Sequence, residues 1–128
     1  MEHIDLTQAE WRLMEALWDH APQTGRELTE QMAAQTGWNR STTLTLLRRL
    51  IEKGAVRCDA QGRKNVFYPA VRREDAAAQQ TRDLLGRVYN GSLSLLVSEM
   101  TKRETLPQRE IDELYALLQD MEEKKRHG

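Results

Sequence analysis

The period of the hydrophobic positions changes twice along the chain. Trp11, Leu13, Met14, Leu17 and Trp18 fall within one arc at helical spacing. Thr7 and Glu10 open that run with capping-box spacing: the hydroxyl caps the Glu10 amide and the carboxylate reaches back to the Thr7 amide. Ala21-Pro22 breaks this first helix. Thr24 and Glu27 repeat the box and start a second helix through Ala34, with Leu28, Met32 and Ala33 inward and Gly37 as a left-handed C-terminal cap. Asn39 caps a third helix ending at Lys53-Gly54, whose Thr43, Leu46, Leu47, Leu50 and Ile51 share one side. The period then shortens to two. Ala55–Asp59 reads as a strand, Gln61-Gly62-Arg63-Lys64 as a turn, and Asn65–Tyr68 as the returning strand, closed by Pro69.

The helical period returns after Pro69. A fourth helix is predicted from about Glu74 to Tyr89, with Ala77, Leu84, Leu85 and Val88 on one side and Asn90-Gly91 as its stop. Ser92 caps a fifth, carrying Leu93, Leu96, Val97 and Met100 at i, i+3, i+4 and i+7. Pro107 marks the first turn of a sixth, whose stripe is Ile111, Leu114, Tyr115, Leu118 and Met121. Glu122–Arg126 reads as a solvated, fraying end. The expected fold is mainly α: a winged helix-turn-helix of three helices and a β-hairpin over residues 1–71, then a three-helix domain over residues 72–128. The stripes of so short a helical segment exceed what one copy can bury. They are therefore expected to pair with an identical chain, making the second domain a dimerisation domain. The other arrangement folds these helices back onto the first module.

Charge sharpens this picture. The chain has 128 residues and a net charge of -1, which by itself indicates no polyanionic partner. The balance hides an uneven distribution. Residues 1–35 carry two basic and seven acidic side chains, whereas residues 36–70 carry seven basic and two acidic ones. The basic block coincides with the third helix and the hairpin. On that helix, Ser41, Thr45, Arg48 and Glu52 face away from the apolar side, flanked by Thr42, Leu44 and Arg49. Taken alone, such a face reads first as ordinary solvated surface. The basic hairpin that follows reverses the balance, because a winged helix places its third helix in the major groove and its wing along the backbone. The candidate DNA-binding residues are Asn39, Arg40, Ser41, Thr42, Thr45, Arg48 and Arg49 on the helix and Arg63 and Lys64 on the wing. A winged helix that binds a partner protein is the competing reading, and these cations count against it. A small-molecule sensor is a third, and no convergent polar set supports it.

Other chemistry is thinly represented. One cysteine excludes an intrachain disulfide, and Cys58 is expected to be a small buried hydrophobe. Three scattered histidines offer no metal set, so neither metal nor cofactor is expected. His20 reads as a surface residue and Trp11, Trp18 and Trp38 as packing anchors. No Ser/His/Asp set, carboxylate pair or Gly-rich phosphate loop stands out, so no enzyme is expected. No apolar run approaches the ~20 residues of a bilayer span. The acidic start, Met1-Glu2-His3-Ile4-Asp5, lacks signal-peptide character, and a cytoplasmic location is expected.

Several segments together resemble the penicillinase-repressor family of BlaI, MecI and CopY type. They are Ala9-Glu10-Trp11, Met14, Leu17-Trp18, Trp38, Thr42, the run from Thr45 through Leu47, Arg49-Leu50-Ile51 and Lys53-Gly54-Ala55, then Gly62-Arg63, Tyr68-Pro69, Tyr89-Asn90-Gly91-Ser92-Leu93, and Glu110 to Leu118. The resemblance implies a cytoplasmic homodimeric repressor of resistance or metal-homeostasis operons, bound to an inverted repeat with TACA/TGTA-like half-sites. It implies base reading by Thr42 and Thr45, a phosphate or supporting role for Arg49, and a wing role for Arg63. It implies a C-terminal helical dimerisation domain, where the apolar stripes make Leu93, Leu96, Val97, Met100, Ile111, Leu114, Tyr115 and Leu118 the candidate dimerisation residues. The Arg40-Ser41 pair departs from the residues common after the cap. The tail has no cysteines, which excludes the Cu(I) cluster of the copper-responsive branch. In the β-lactam-responsive branch a membrane-bound sensor protease cuts an Asn-Phe bond. Here the aligned bond is Glu99-Met100, a candidate cleavage site of different chemistry.

Overall fold

The computed structural model describes residues 3–127; Met1 and Glu2 of the acidic start and Gly128 of the tail lie outside them. The elements are α1 (Gln8–Asp19), β1 (Gln23–Thr24), α2 (Gly25–Thr36), α3 (Arg40–Lys53), β2 (Val56–Gln61), β3 (Lys64–Pro69), α4 (Arg73–Val88), α5 (Leu93–Arg103) and α6 (Gln108–His127). Both expected capping boxes form, Thr7 with Glu10 and Thr24 with Glu27. Gly37 adopts φ 77°, the left-handed cap that ends α2. The chain divides into two compact units, Met1–Asp83 and Leu84–Gly128.

The first unit is a winged helix-turn-helix. Leu13, Met14 and Leu17 of α1, Leu28 and Met32 of α2 and Leu47 and Leu50 of α3 form its core with Ala55 and Val56. Each large side chain so enclosed stabilises the fold by about 1.5–3 kcal/mol. β3 lies between β1 and β2 in an antiparallel sheet. The two-residue β1 escaped the hydrophobic pattern because its hold is polar. The buried Gln23 side chain donates to the carbonyls of Ala16 at 3.1 Å and His20 at 2.8 Å, closing the end of α1 and setting Gln23 opposite Phe67.

Three expectations about the core are corrected. Cys58 is exposed, not buried. It lies on β2, the edge strand, and only Val56 at the start of that strand tucks beneath the helices. Alternation identifies a strand's faces but not whether anything covers them. Ile51 is 38% exposed and Ala33 is exposed, so the inward arcs of α3 and α2 are narrower than the apolar stripes suggested. The segment Glu122–Arg126, expected to fray, is helical as part of α6.

The least expected core member is Glu10, at 1% exposure. Its Oε1 accepts the Thr7 amide at 2.9 Å and the Lys53 ammonium at 2.6 Å. Lys53 also donates to the Asp5 carbonyl at 2.7 Å. Glu10 Oε2 is enclosed without a hydrogen-bond partner, so compensation for the buried charge runs through Oε1. Burial pushes the carboxyl upward, but the bonds from Lys53 and Thr7 and the lysine charge outweigh it, and Glu10 titrates below its ordinary value of 4.5.

The expected boundary after residue 71 lies just before α4, whereas the division between the compact units falls within that helix. The first turns of α4 are tied to the N-terminal arm. Gln79 accepts the Ile4 amide at 3.5 Å, Gln80 donates to the Leu6 carbonyl at 3.3 Å, and His3 lies 3.5 Å from Asp83. Trp18 Nε1 donates to the Val71 carbonyl at 2.9 Å, and Arg73 stands over the ring of Trp11. In the second unit Ser92 caps α5 as expected, and neither α5 nor α6 has a buried residue.

The ion pair predicts both a mutational and a pH effect. Lys53→Met strands a buried carboxylate and should cost about 2–3 kcal/mol in urea unfolding at pH 7, the lower end for such pairs because solvent reaches the lysine. A carboxyl whose pKa is lowered by folding contributes stability above its unfolded value and loses it as pH falls through the folded one. Stability should therefore decline below about pH 4.5, and Glu10→Gln should lack that component. A Lys53→Met midpoint equal to wild type would refute the assignment.

Candidate nucleic-acid interface

The interface is assembled from α3 outward. Asn39 precedes the helix in extended conformation, and its Oδ1 accepts the Thr42 amide at 2.8 Å. This residue, counted among the DNA-binding candidates, thus has its carboxamide oxygen engaged as the helix cap. With Leu46, Leu47 and Leu50 buried, the rotation of α3 is set and Arg40, Ser41, Thr42, Arg48 and Arg49 are left exposed, Thr45 half-buried. Arg40, Ser41, Leu44, Thr45 and Arg48 line a single groove of about 490 Å³ along the outer face. Thr42 and Arg49 do not line that groove; at i, i+3 and i+7 with Thr45 they follow the adjacent stripe.

The wing follows from register. Gln61 pairs with Lys64, so Gly62 and Arg63 form a two-residue loop. Gly62 has φ 64°, as the first central residue of a type II′ turn requires. Arg63 and Lys64 are exposed at the tip. The hairpin is stiffened from one side, where Arg57 stacks 4.9 Å from the Tyr68 ring centre and Gln61 donates to the Tyr68 hydroxyl at 3.4 Å. On the α2 side of the wing, Lys64 and Asn65 share a second groove with Thr24, Gly25, Arg26 and Phe67. Beyond the expected set, the first groove adds Leu44 and the second adds the side chains of Thr24, Arg26, Asn65 and Phe67. Periodicity set Leu44 at the flank of the outward face without marking it as a contact, and Arg26 sits in the acidic segment.

Electrostatics separates the cations into two groups. Arg26, Arg57, Arg72, Arg103 and Arg109 each pair with a carboxylate at 2.9–3.4 Å. Among the described residues, Arg40, Arg48, Arg49, Arg63 and Lys64 have no carboxylate within ion-pair distance. The α3 outer face and the wing tip thus gather five cations without a carboxylate partner, while Arg12, Arg73, Arg82, Arg87, Lys102, Lys125 and Arg126, also without an ion pair among the described residues, lie elsewhere along the chain. Such an array is open to an external polyanion. No described helix is long and apolar enough to cross a membrane.

Comparison with known proteins agrees with this architecture. The family model described as penicillinase repressor matches residues 6–120. The chain belongs to the penicillinase repressor family. That family is made up of transcriptional repressors. The penicillinase repressor of Bacillus licheniformis is 30% identical over 121 residues, covering 94% of each chain. The methicillin resistance regulatory protein MecI of Staphylococcus aureus is 27% identical over 114 residues, covering 89% of this chain and 93% of its own. A solution structure of the Bacillus licheniformis BlaI monomeric form in complex with the blaP half-operator matches with a TM-score of 0.53 and 28% identity, covering 58% of this chain and 90% of that one. Family membership and winged-helix fold are therefore as the sequence indicated.

The cap makes a prediction of its own. Asn39→Ala should lower stability by about 1 kcal/mol, whereas Asn39→Asp should retain it, because a carboxylate also accepts the Thr42 amide. Thermal unfolding without DNA checks this. Equal stability of all three proteins would mean the cap contributes nothing.

Proposed function

We propose that this chain is a DNA-binding transcriptional repressor that acts as a homodimer on an inverted-repeat operator. The observation that carries this reading is the array of unpaired cations on the α3 outer face and wing tip. In this reading α3 enters the major groove, with Ser41, Thr42 and Thr45 presenting hydroxyls to base edges. Arg40, Arg48 and Arg49 hold the flanking phosphates or base edges, and Arg63 and Lys64 follow the adjacent backbone. The operator complex of the BlaI relative supports the same class of ligand.

Dimerisation is supported by apolar surface that one copy leaves open. Leu93, Met100, Tyr115 and Leu118 are 52–65% exposed, and Leu96, Val97, Ile111 and Leu114 are half-buried. Both stripes keep the helical spacing of an interface seam. A second copy would cover them and present two α3 helices to two half-sites, a geometry that makes the second binding event intramolecular. Release by a membrane-bound sensor protease would act through this interface, since a cut in α5 would separate part of the stripe. The candidate Glu99-Met100 bond differs from an amide-aromatic one, and Glu99 is paired with Arg103 at 2.9 Å. Cutting by a sensor of the β-lactam branch is accordingly expected to be poor. A cytoplasmic location accords with this role.

Two experiments test the reading. Replacing Arg63 and Lys64 with Ala should weaken binding to all duplexes alike. It should also flatten the dependence of log affinity on log salt by up to ~0.9 for each phosphate that is no longer neutralised. An unchanged slope would remove the wing from the interface. Changing Leu114 and Leu118 to Glu should give monomers by sedimentation, with weak operator binding. An intact dimer would place the interface elsewhere.

A further inference from the structure

Leu44 is the one apolar side chain among the five that line the α3 groove. It lies one turn after Arg40 and one turn before Arg48 and is half-buried. The structure holds it from behind. A Cβ built on Gly25 would lie 3.9 Å from Leu44 Cδ2 and 3.8 Å from Phe67 Cε2. The first residue of α2, the wing strand β3 and the middle of α3 therefore converge behind this side chain. Its remaining surface opens between two unpaired guanidiniums and two hydroxyls, Ser41 and Thr45.

An apolar group fixed in a groove otherwise built for polar contacts selects an apolar feature of its ligand. Among base edges in the major groove, thymine alone presents one, its C5 methyl; the other edges present donors and acceptors. We propose that Leu44 is a specificity-determining residue whose side chain takes the 5-methyl group of one thymine in each half-site. The inference rests on the operator-reading function above and adds a hydrophobic selector to it. Arg40 and Arg48, one turn to either side, fix the register in which that methyl meets the leucine.

The test removes the methyl from the DNA and leaves every hydrogen-bonding group in place. Duplexes selected by the wild-type dimer are remade with deoxyuridine at each thymine of the half-site in turn. Wild-type affinity should fall about three- to fivefold at one thymine per half-site, as expected for one methyl withdrawn from apolar surroundings. The penalty should persist in Thr45→Ser, which rules out the threonine methyl, and should vanish in Leu44→Ala and in Leu44→Gln, which keeps most of the volume. Thermal unfolding of each free variant reports folding separately. Selective binding with no uracil penalty, or the same penalty in the Leu44 variants, would overturn the role of Leu44 and leave operator reading standing. A wild-type protein that does not prefer selected over random DNA would overturn both.

Discussion

The pair of buried Glu10 and partly exposed Lys53 constrains the whole first unit of this molecule. It joins the first turn of α1 to the last residue of α3, and each charge lies at the helix end whose dipole favours it. Removing Glu10 from water is unfavourable, and the 2.6 Å contact with Lys53 offsets that only in one arrangement of the helices. Rotating α3 by one residue would carry Lys53 about 100° around the axis and out of reach. The same rotation would take Leu46, Leu47 and Leu50 from the core. Polar and apolar constraints thus agree on one orientation, and the outward face of α3 is its consequence.

That orientation gives the charge pattern its meaning. Of the seven cations between residues 36 and 70, Lys53 is consumed by the core and Arg57 by Asp59 and Tyr68. The other five stand unpaired on the recognition helix and the wing. With the net charge near neutral overall, this cluster is a local basic face, which in the proposed function favours one docking orientation on a polyanion. The second unit carries the complementary property: apolar side chains are exposed along α5 and α6, and three ion pairs form within those helices. In the proposed function one unit would meet an anionic polymer and the other a second copy of the chain.

How much of this was legible in the sequence depended on the kind of force involved. Helices held by periodic leucines and closed by capping boxes were readable to within two or three residues, because the signals are local. The wing was readable from a change of period and a Gly-Arg-Lys tip. Features set by partners distant in sequence were not. Glu10 read only as a cap, since nothing nearby announces a lysine 43 residues on. Strand β1 depended on one glutamine side chain, and the exposure of Cys58 on the order of strands in the sheet. Leu44 shows the same limit within the site, since its residue type suggested no DNA contact. The structure opens Leu44 to the groove, whereas the cap role of Asn39 was legible from its place before the helix.

The central claim is that the outward face of α3 and the wing tip meet DNA. Backbone amide NMR of the full-length protein during titration with a selected half-site duplex tests it most directly. The account predicts that shifts concentrate at Arg40–Arg49 and Gly62–Asn65, with the outer side of α1 near Arg12 and Glu15 unaffected. Shifts centred on α1, or on α5 and α6 with α3 silent, would contradict it.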